Sequence, residues 1–277
     1  MKLQDGRRLA FAQYGDPGGR PVFFFHGSAG SRLEHPANLC ALGARIICTD
    51  RPGHGLSDFQ PNRELLDWPD DIAQLADELS IDRFHVLGWS AGGPHALACA
   101  HKLPERVLAG AVAASPGPMN RRGVMKDLAP LARAFVVIAR KFPVLGEQLR
   151  RRACSLVWGD PKKFGKQLWA SIPDQRDRMQ QSGNFDMMLA DVREGYRQGW
   201  RGIAHDDRVI MGEWGFEVAD IGVRIDVWHG ERDSKMVVHA SEYLHSRIPN
   251  NRSFALPEEG HFFLLEHWGR VVQTLLG

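Results

Sequence analysis

Residues 83–93, Arg-Phe-His-Val-Leu-Gly-Trp-Ser-Ala-Gly-Gly, constrain this chain more than any other stretch. Residues 84–87 form a short apolar run of the length of a buried strand, and residues 94–103 are helix formers. Between them stands Gly88-x-Ser90-x-Gly92. A strand that stops at a serine and restarts as a helix lifts that hydroxyl above a sheet. Side chains two residues either side of the serine would collide across so tight a turn, so both places need glycine. The helix beginning just past Ser90 offers unpaired N–H groups and the positive end of its dipole. The five-residue pattern alone is a weak signal; the strand before it and the helix after it give it weight.

The flanking chain alternates strand and helix. Residues 3–14 read as a strand pair around the Asp5-Gly6 turn. Residues 21–25, Pro-Val-Phe-Phe-Phe, are apolar on both faces and belong in the middle of a covered, largely parallel sheet. They run into His26-Gly27-Ser28-Ala29-Gly30-Ser31. Residues 44–49 form the next strand, followed by the glycine-rich Asp50-Arg51-Pro52-Gly53-His54-Gly55-Leu56-Ser57. Residues 67–79 read as a helix with Ile72, Leu75, Ala76 and Leu79 on one face and Asp70, Asp71, Asp77 and Glu78 on the other. Strands follow at 107–114, 223–230 and 253–256, with a helix at 237–246 and a terminal helix carrying Phe263, Leu264, Trp268, Val271 and Leu275. Such alternation means βαβ units and a mostly parallel sheet, whose ligands sit beyond the carboxyl ends of the strands. Ser28, Ser90, Ser115 and Asp233 all come just after such ends.

Between residues 117 and 216 strand signals largely vanish. Basic clusters and helical stripes replace them: Leu128, Leu131, Ala132, Phe135 and Val136 make one stripe, Met187, Met188, Val192 and Tyr196 another. This reads as an insertion of short helices, dividing a core of residues 1–116 and 217–277. Its aromatics, Trp158, Trp169, Trp200, Trp214, Phe135, Phe142, Phe164 and Phe185, either line an apolar acyl pocket or pack the helices against one another.

Taken together, His26-Gly27 after a strand, the Asp50–Ser57 loop, the turn at Ser90, His229-Gly230-Glu231-Arg232-Asp233 after a strand and Gly260-His261 near the end resemble the α/β-hydrolase family. The resemblance extends over nearly the whole chain except the insertion. It implies a mostly parallel eight-stranded sheet flanked by helices, with residues 117–216 as the family's variable cap. It also implies the order nucleophile, acid, histidine, met here by Ser90, Asp233 and His261.

The residues agree with those roles. A serine hydroxyl is a poor nucleophile at neutral pH and needs a base. Among the 12 histidines, His261 follows the last strand and a glycine, at the right sheet edge. His26 and His54 are expected to hold their loops by hydrogen bonds and His229 to pack at its strand end, with His95, His101, His239, His245 and His267 on helix surfaces. The acid must orient the imidazole and stabilise its cation. Asp233 suits this, though its place also fits a helix cap; Glu231 is the nearest substitute, and Asp226 lies within the strand. An oxyanion needs two converging N–H groups. Ala91 supplies one, and the resemblance gives Ser28 as the other. Arg32 is expected to pair with an acid.

A serine at the turn excludes the epoxide hydrolases and haloalkane dehalogenases, which carry aspartate there. Hydrolysis of a carboxylic ester of modest size is the leading expectation. Lactone hydrolysis, C–C hydrolysis, aminopeptidase action and cofactor-free perhydrolysis use the same three residues, although the Gly-Gly-Ser-Trp-Gly of the aminopeptidase branch is missing. A small-molecule receptor on this scaffold is the non-enzymatic alternative. The net charge of +2 gives no reason to expect nucleic acid or an anionic membrane as partner, and no apolar run reaches membrane-span length. Cys40, Cys48, Cys99 and Cys154 form no C-x-x-C pair, so reduced thiols are expected rather than a disulfide frame or a metal site. Residues 1–8 contain no apolar signal core, and the expected location is cytoplasmic, with no cofactor required.

Overall fold

The structure, a computed structural model, describes residues 1–35, 43–170, 175–236 and 238–277; Cys40, Val237 and the Trp169 side chain lie outside that set. Among the described residues seven strands form one sheet: β1 (Phe11–Gly15), β2 (Arg20–Phe25), β3 (Ala44–Thr49), β4 (Phe84–Trp89), β5 (Val107–Ala113), β6 (Ile225–Gly230) and β7 (Asn251–Leu256). Their spatial order is β1-β3-β2-β4-β5-β6-β7, with β1 antiparallel to β3 and every other pair parallel. The count is one below the eight the resemblance implies. The amino-terminal pair expected over residues 3–14 shrinks to a single Lys2–Arg8 bridge ahead of β1. The Asp5 side chain caps that turn and accepts from the Arg7 N–H, and Arg7 then reaches Asp71 instead of extending a ladder.

Period-2 alternation sorts β2 between two cores. Phe23 and Phe25 point into a cluster with α1 (Trp68–Glu78) and α2 (Gly93–Lys102), where Phe23 meets Phe84 edge-on at 4.7 Å and Phe25 meets Trp68 at 5.5 Å. Val22 and Phe24 point into the opposite cluster, where Phe24 meets Trp268 of α10 (Phe263–Leu276) at 4.7 Å. Helices therefore cover both faces, as the apolar strands require. Asp71 departs from the expected solvent face of α1: it is 2% exposed and held by both terminal nitrogens of Arg7.

Between β5 and β6 the chain forms α3 (Pro130–Lys141), α4 (Pro143–Gly159), α5 (Pro161–Ala170), α6 (Arg176–Gln181), α7 (Asn184–Gly195) and α8 (Arg201–Met211), and α9 (Val238–Arg247) follows β6. The expected stripe is only partly buried: Leu128, just before α3, and Val136 on it pack inward, whereas Leu131 is 87% exposed. This helical segment lies over the carboxyl ends of the strands, because its two small cores close on Ala29, just past β2, and on Ala91, just past β4. Successive connections diverge there: β2 leads to β3 on one side, while its other neighbour is β4. A crevice opens at such a switch point.

Candidate active site

The turn after β4 is built by what its glycines lack. A β-carbon on Gly88 would run into the Gly92 carbonyl, and one on Gly92 would run into the Phe25 carbonyl of β2. Backbone thus packs on backbone, and the chain swings through Ser90 at φ +49°. For a non-glycine residue that conformation costs about 1–3 kcal/mol, which the surrounding packing must over-determine. Pro94 then fits the first turn of α2.

The loops after β6 and β7 bring the other two candidates to the serine. They lie against each other because Gly230 has no side chain to meet the Glu259 carbonyl. The Ser90 hydroxyl donates to His261 Nε2 at 3.0 Å, and His261 Nδ1–H donates to Asp233 Oδ2 at 2.7 Å. All three residues are buried, Ser90 and His261 at 8% exposure and Asp233 at 6%. Asp233 Oδ1 accepts the N–H groups of Lys235 and Met236, both at 2.8 Å. One Asp233 oxygen thus organises the turn before α9 while the other faces the imidazole. Burial raises the Asp233 carboxyl, but the His261 ring and the two N–H donors outweigh it and hold it below the usual carboxylate range. The alternatives are elsewhere: Asp226 is bound by Arg252 at 2.7 Å through both oxygens, and Glu231 is exposed.

A cavity of about 310 Å³ opens beside this relay. His261, Trp89 and Phe262 form one wall, Gly27 and Ser28 another, and Phe164, Leu168, Met188 and Val192 bring apolar surface from the helical segment. Trp89 Nε1 donates to the His261 carbonyl at 3.2 Å, which steadies the histidine's backbone. Ser28 is exposed, and its hydroxyl accepts from Arg150 Nη2 at 2.9 Å while Arg150 forks onto Asp207. Ala91 stands one residue past Ser90 at the start of the helical turn.

Arg51 holds the loop carrying Ser28 from beneath. Fully buried, it donates to the carbonyls of His26 and Gly27 and to Asp206 Oδ2 at 2.9 Å. Asp206, on α8, also accepts from Arg63 at 2.6 Å and faces His95 Nε2 at 3.4 Å. Burial raises the Asp206 carboxyl, yet Arg51, His95 and Arg63 bring it well below its ordinary value. His95 is therefore not the surface residue expected: it has no exposure, and burial pushes it down to about 4. The reason is that α2 is covered on every side, so helix position alone misleads. His26 does hold its loop, through Gly27 O at 2.8 Å and the Arg51 N–H at 3.3 Å. His54 instead packs its ring 5.0 Å from His26, and its ring nitrogens are buried without a hydrogen-bond partner among the described residues. Arg32 pairs as expected, with Asp50 at 2.6 Å and Glu194 at 2.8 Å. The glycine-rich 50–57 loop was the available signal for Arg51; Arg63, Asp206 and Arg150 gave none, because their partners are far away in the chain.

Known proteins place this architecture. Residues 20–267 match the family described as alpha/beta hydrolase fold. A dihydrolipoyllysine-residue acetyltransferase component of an acetoin cleaving system from Pseudomonas putida is 27% identical, the match covering 98% of this chain and 66% of that protein. This chain thus spans just under two thirds of that relative's length. Among solved structures, a hydrolase from Pseudomonas aeruginosa PA01 superposes with a TM-score of 0.73 at 20% identity, covering 100% of this chain and 97% of the other. An esterase from Exiguobacterium antarcticum does so with a TM-score of 0.70 at 19% identity, covering 99% and 96%. These two likenesses speak to the fold. With the family match running from β2 into α10, the chain belongs to the alpha/beta hydrolase fold family.

Proposed function

We propose that the protein is a serine hydrolase that cleaves a carboxylic ester of small to medium size through an acyl-enzyme on Ser90. The observation that carries this reading is the continuous relay from Ser90 Oγ through His261 to Asp233, beside a cavity with partly apolar walls. In the proposed cycle His261 Nε2 takes the Ser90 proton as Oγ attacks the ester carbonyl. The N–H groups of Ala91 and Ser28 receive the developing oxyanion, and Asp233 stabilises the imidazolium. His261 then protonates the leaving alkoxide, leaving an acyl-Ser90. Water, deprotonated by the same imidazole, releases the acid and restores the hydroxyl. A cavity of about 310 Å³ suits a modest acyl group, and residues 117–216 serve as the cap that covers it. No helix of the described residues is long and apolar enough to cross a membrane, and the free thiols Cys48, Cys99 and Cys154 fit a reducing, cytoplasmic setting.

The test is a fluorophosphonate, followed by a turnover panel of p-nitrophenyl esters, lactones and amides. One adduct on Ser90 and fastest turnover of esters are expected. A Ser90→Ala protein that hydrolyses esters as fast as wild type overturns the nucleophile, and faster cleavage of lactones or amides overturns the ester assignment.

A further inference from the structure

The cycle above makes no use of two buried acids that flank the Ser28 loop. Glu34 is 3% exposed and Asp191, on α7, is 1% exposed. Glu34 Oε2 accepts the Gly27 N–H at 3.1 Å, one peptide before the Ser28 N–H. Asp191 Oδ1 accepts both the N–H and the hydroxyl of Ser31, at 2.8 and 2.6 Å. The carboxyl groups converge over Gly30, where a β-carbon would lie 2.7 Å from Glu34 Oε2 and 2.9 Å from Asp191 Oδ2. Gly195, at the end of α7, rests directly on the Ala29 and Gly30 carbonyls. Loop and helix are therefore joined here as well as through Asp191 and through Arg32–Glu194, and both acids line the cavity that holds His261.

Two carboxylates cannot both ionise this close together out of water. Burial, then the Asp191 charge, raises Glu34 well above its ordinary value, and burial pushes Asp191 up to about 7. Glu34 Oε1 is buried without a hydrogen-bond partner among the described residues, a state an ionised carboxylate tolerates poorly. The groups facing the pair are Tyr14 of β1, Cys48 of β3, Asp50 and Arg51 after it, and His26 and Arg32 of the loop itself. Burial lifts the Tyr14 phenol to about 12 and the Cys48 thiol well above its usual range. Burial, then Arg51, keeps His26 neutral, and Asp50 is bound by Arg32.

We propose that Glu34 and Asp191 are positioning residues that share one proton, and that this proton holds the Ser28 N–H where the oxyanion forms. With the proton in place the pair closes over Gly30. Its loss sets two anions against each other, drives α7 from the loop and displaces Ser28. The effect falls on the transition state, so kcat drops with little change in KM. This rests on the ester-hydrolase reading, and the experiment separates the two.

The variants are Glu34→Gln, whose amide still accepts from Gly27 and donates to Asp191 without titrating, and Asp191→Asn as a second should the first not fold. The unfolding temperature against pH reads the proton without any turnover. A raised carboxyl pKa gives stability that is full at acid pH and lost as pH rises through the folded value. Wild type should lose stability relative to Glu34→Gln as pH rises from about 4, the unfolded carboxyl value, to about 7, where Asp191 gives up its proton; parallel curves overturn the shared proton. The kcat profile on a p-nitrophenyl ester reads the coupling. Wild type should lose roughly tenfold on the alkaline side, part of the value of an oxyanion donor, while the Glu34→Gln profile stays level and KM varies little with pH in either. An alkaline limb that persists in the variants overturns the coupling. If wild type cleaves no ester, the ester reading fails, and the rate of Ser90 labelling by the fluorophosphonate over the same pH range replaces kcat.

Discussion

Two aspartate–histidine pairs lie on either side of the Ser90 turn, and the proposed ester hydrolysis would put them to opposite uses. Asp233 and His261 come from loops after β6 and β7, and the free ring nitrogen of His261 meets a hydroxyl at the edge of a cavity. Asp206 and His95 come from α8 and α2; His95 Nδ1–H donates to the Ala91 carbonyl at 3.1 Å, and its Nε2 faces Arg63 at 3.3 Å. The second imidazole is fully buried and meets neither a hydroxyl nor a cavity. It is a neutral strut beneath the turn, in a cluster whose aspartate is saturated by two guanidinium groups. What separates a proton carrier from a brace is what the second ring nitrogen faces.

Substitutions sharpen that contrast in order of size. Asp233→Asn should lower kcat by about 10⁴-fold with the unfolding temperature nearly unchanged. The Lys235 and Met236 N–H groups hold the side-chain oxygen, so the amide nitrogen must face His261 Nδ1 and force the wrong tautomer. Loss of folding instead of turnover would erase the distinction between the two pairs. Asp206→Ala should act the opposite way, destabilising the fold by about 3–5 kcal/mol, because Arg51 and Arg63 are left buried without their carboxylate. A denaturant titration with an unchanged midpoint would show the cluster to be dispensable. His95→Asn tests the neutral state. A histidine whose pKa is depressed to about 4 loses stability as pH falls from about 6.5 towards that value. The variant should lack that part of the acid slope, about 3 kcal/mol at most; identical slopes would mean His95 is charged in the folded protein. Ser28→Ala should be the mildest, within about threefold of wild-type kcat, since the proposed donor is its N–H and not the hydroxyl that Arg150 occupies.

Much of the first pair could be read in the chain, and almost none of the second. Ser90, Asp233 and His261 each stand just past a strand end, and strand ends are visible as apolar runs closed by glycine. Arg51, Arg63, His95 and Asp206 are joined by contacts spanning as many as 155 residues, with no local periodicity to mark them. The same reasoning explains the fold-level misses. The amino-terminal strand pair had the alternation of a hairpin, but Arg7 and Arg8 are committed to Asp71 and Asp58. Leu131 completed an apolar stripe by spacing, yet α3 turns that position outward, since burial follows what packs against a helix and not its period alone.

Trp89 has a use that none of the chemistry above requires. Its ring lies 5.7 Å from that of His261, and its indole nitrogen is anchored to the same residue. Indole emission responds to what stands against the ring, so the fluorescence difference between wild type and Trp89→Phe is an optical gauge of whether that histidine keeps its place. The molecule carries its own reporter, set against the ring at the centre of the relay.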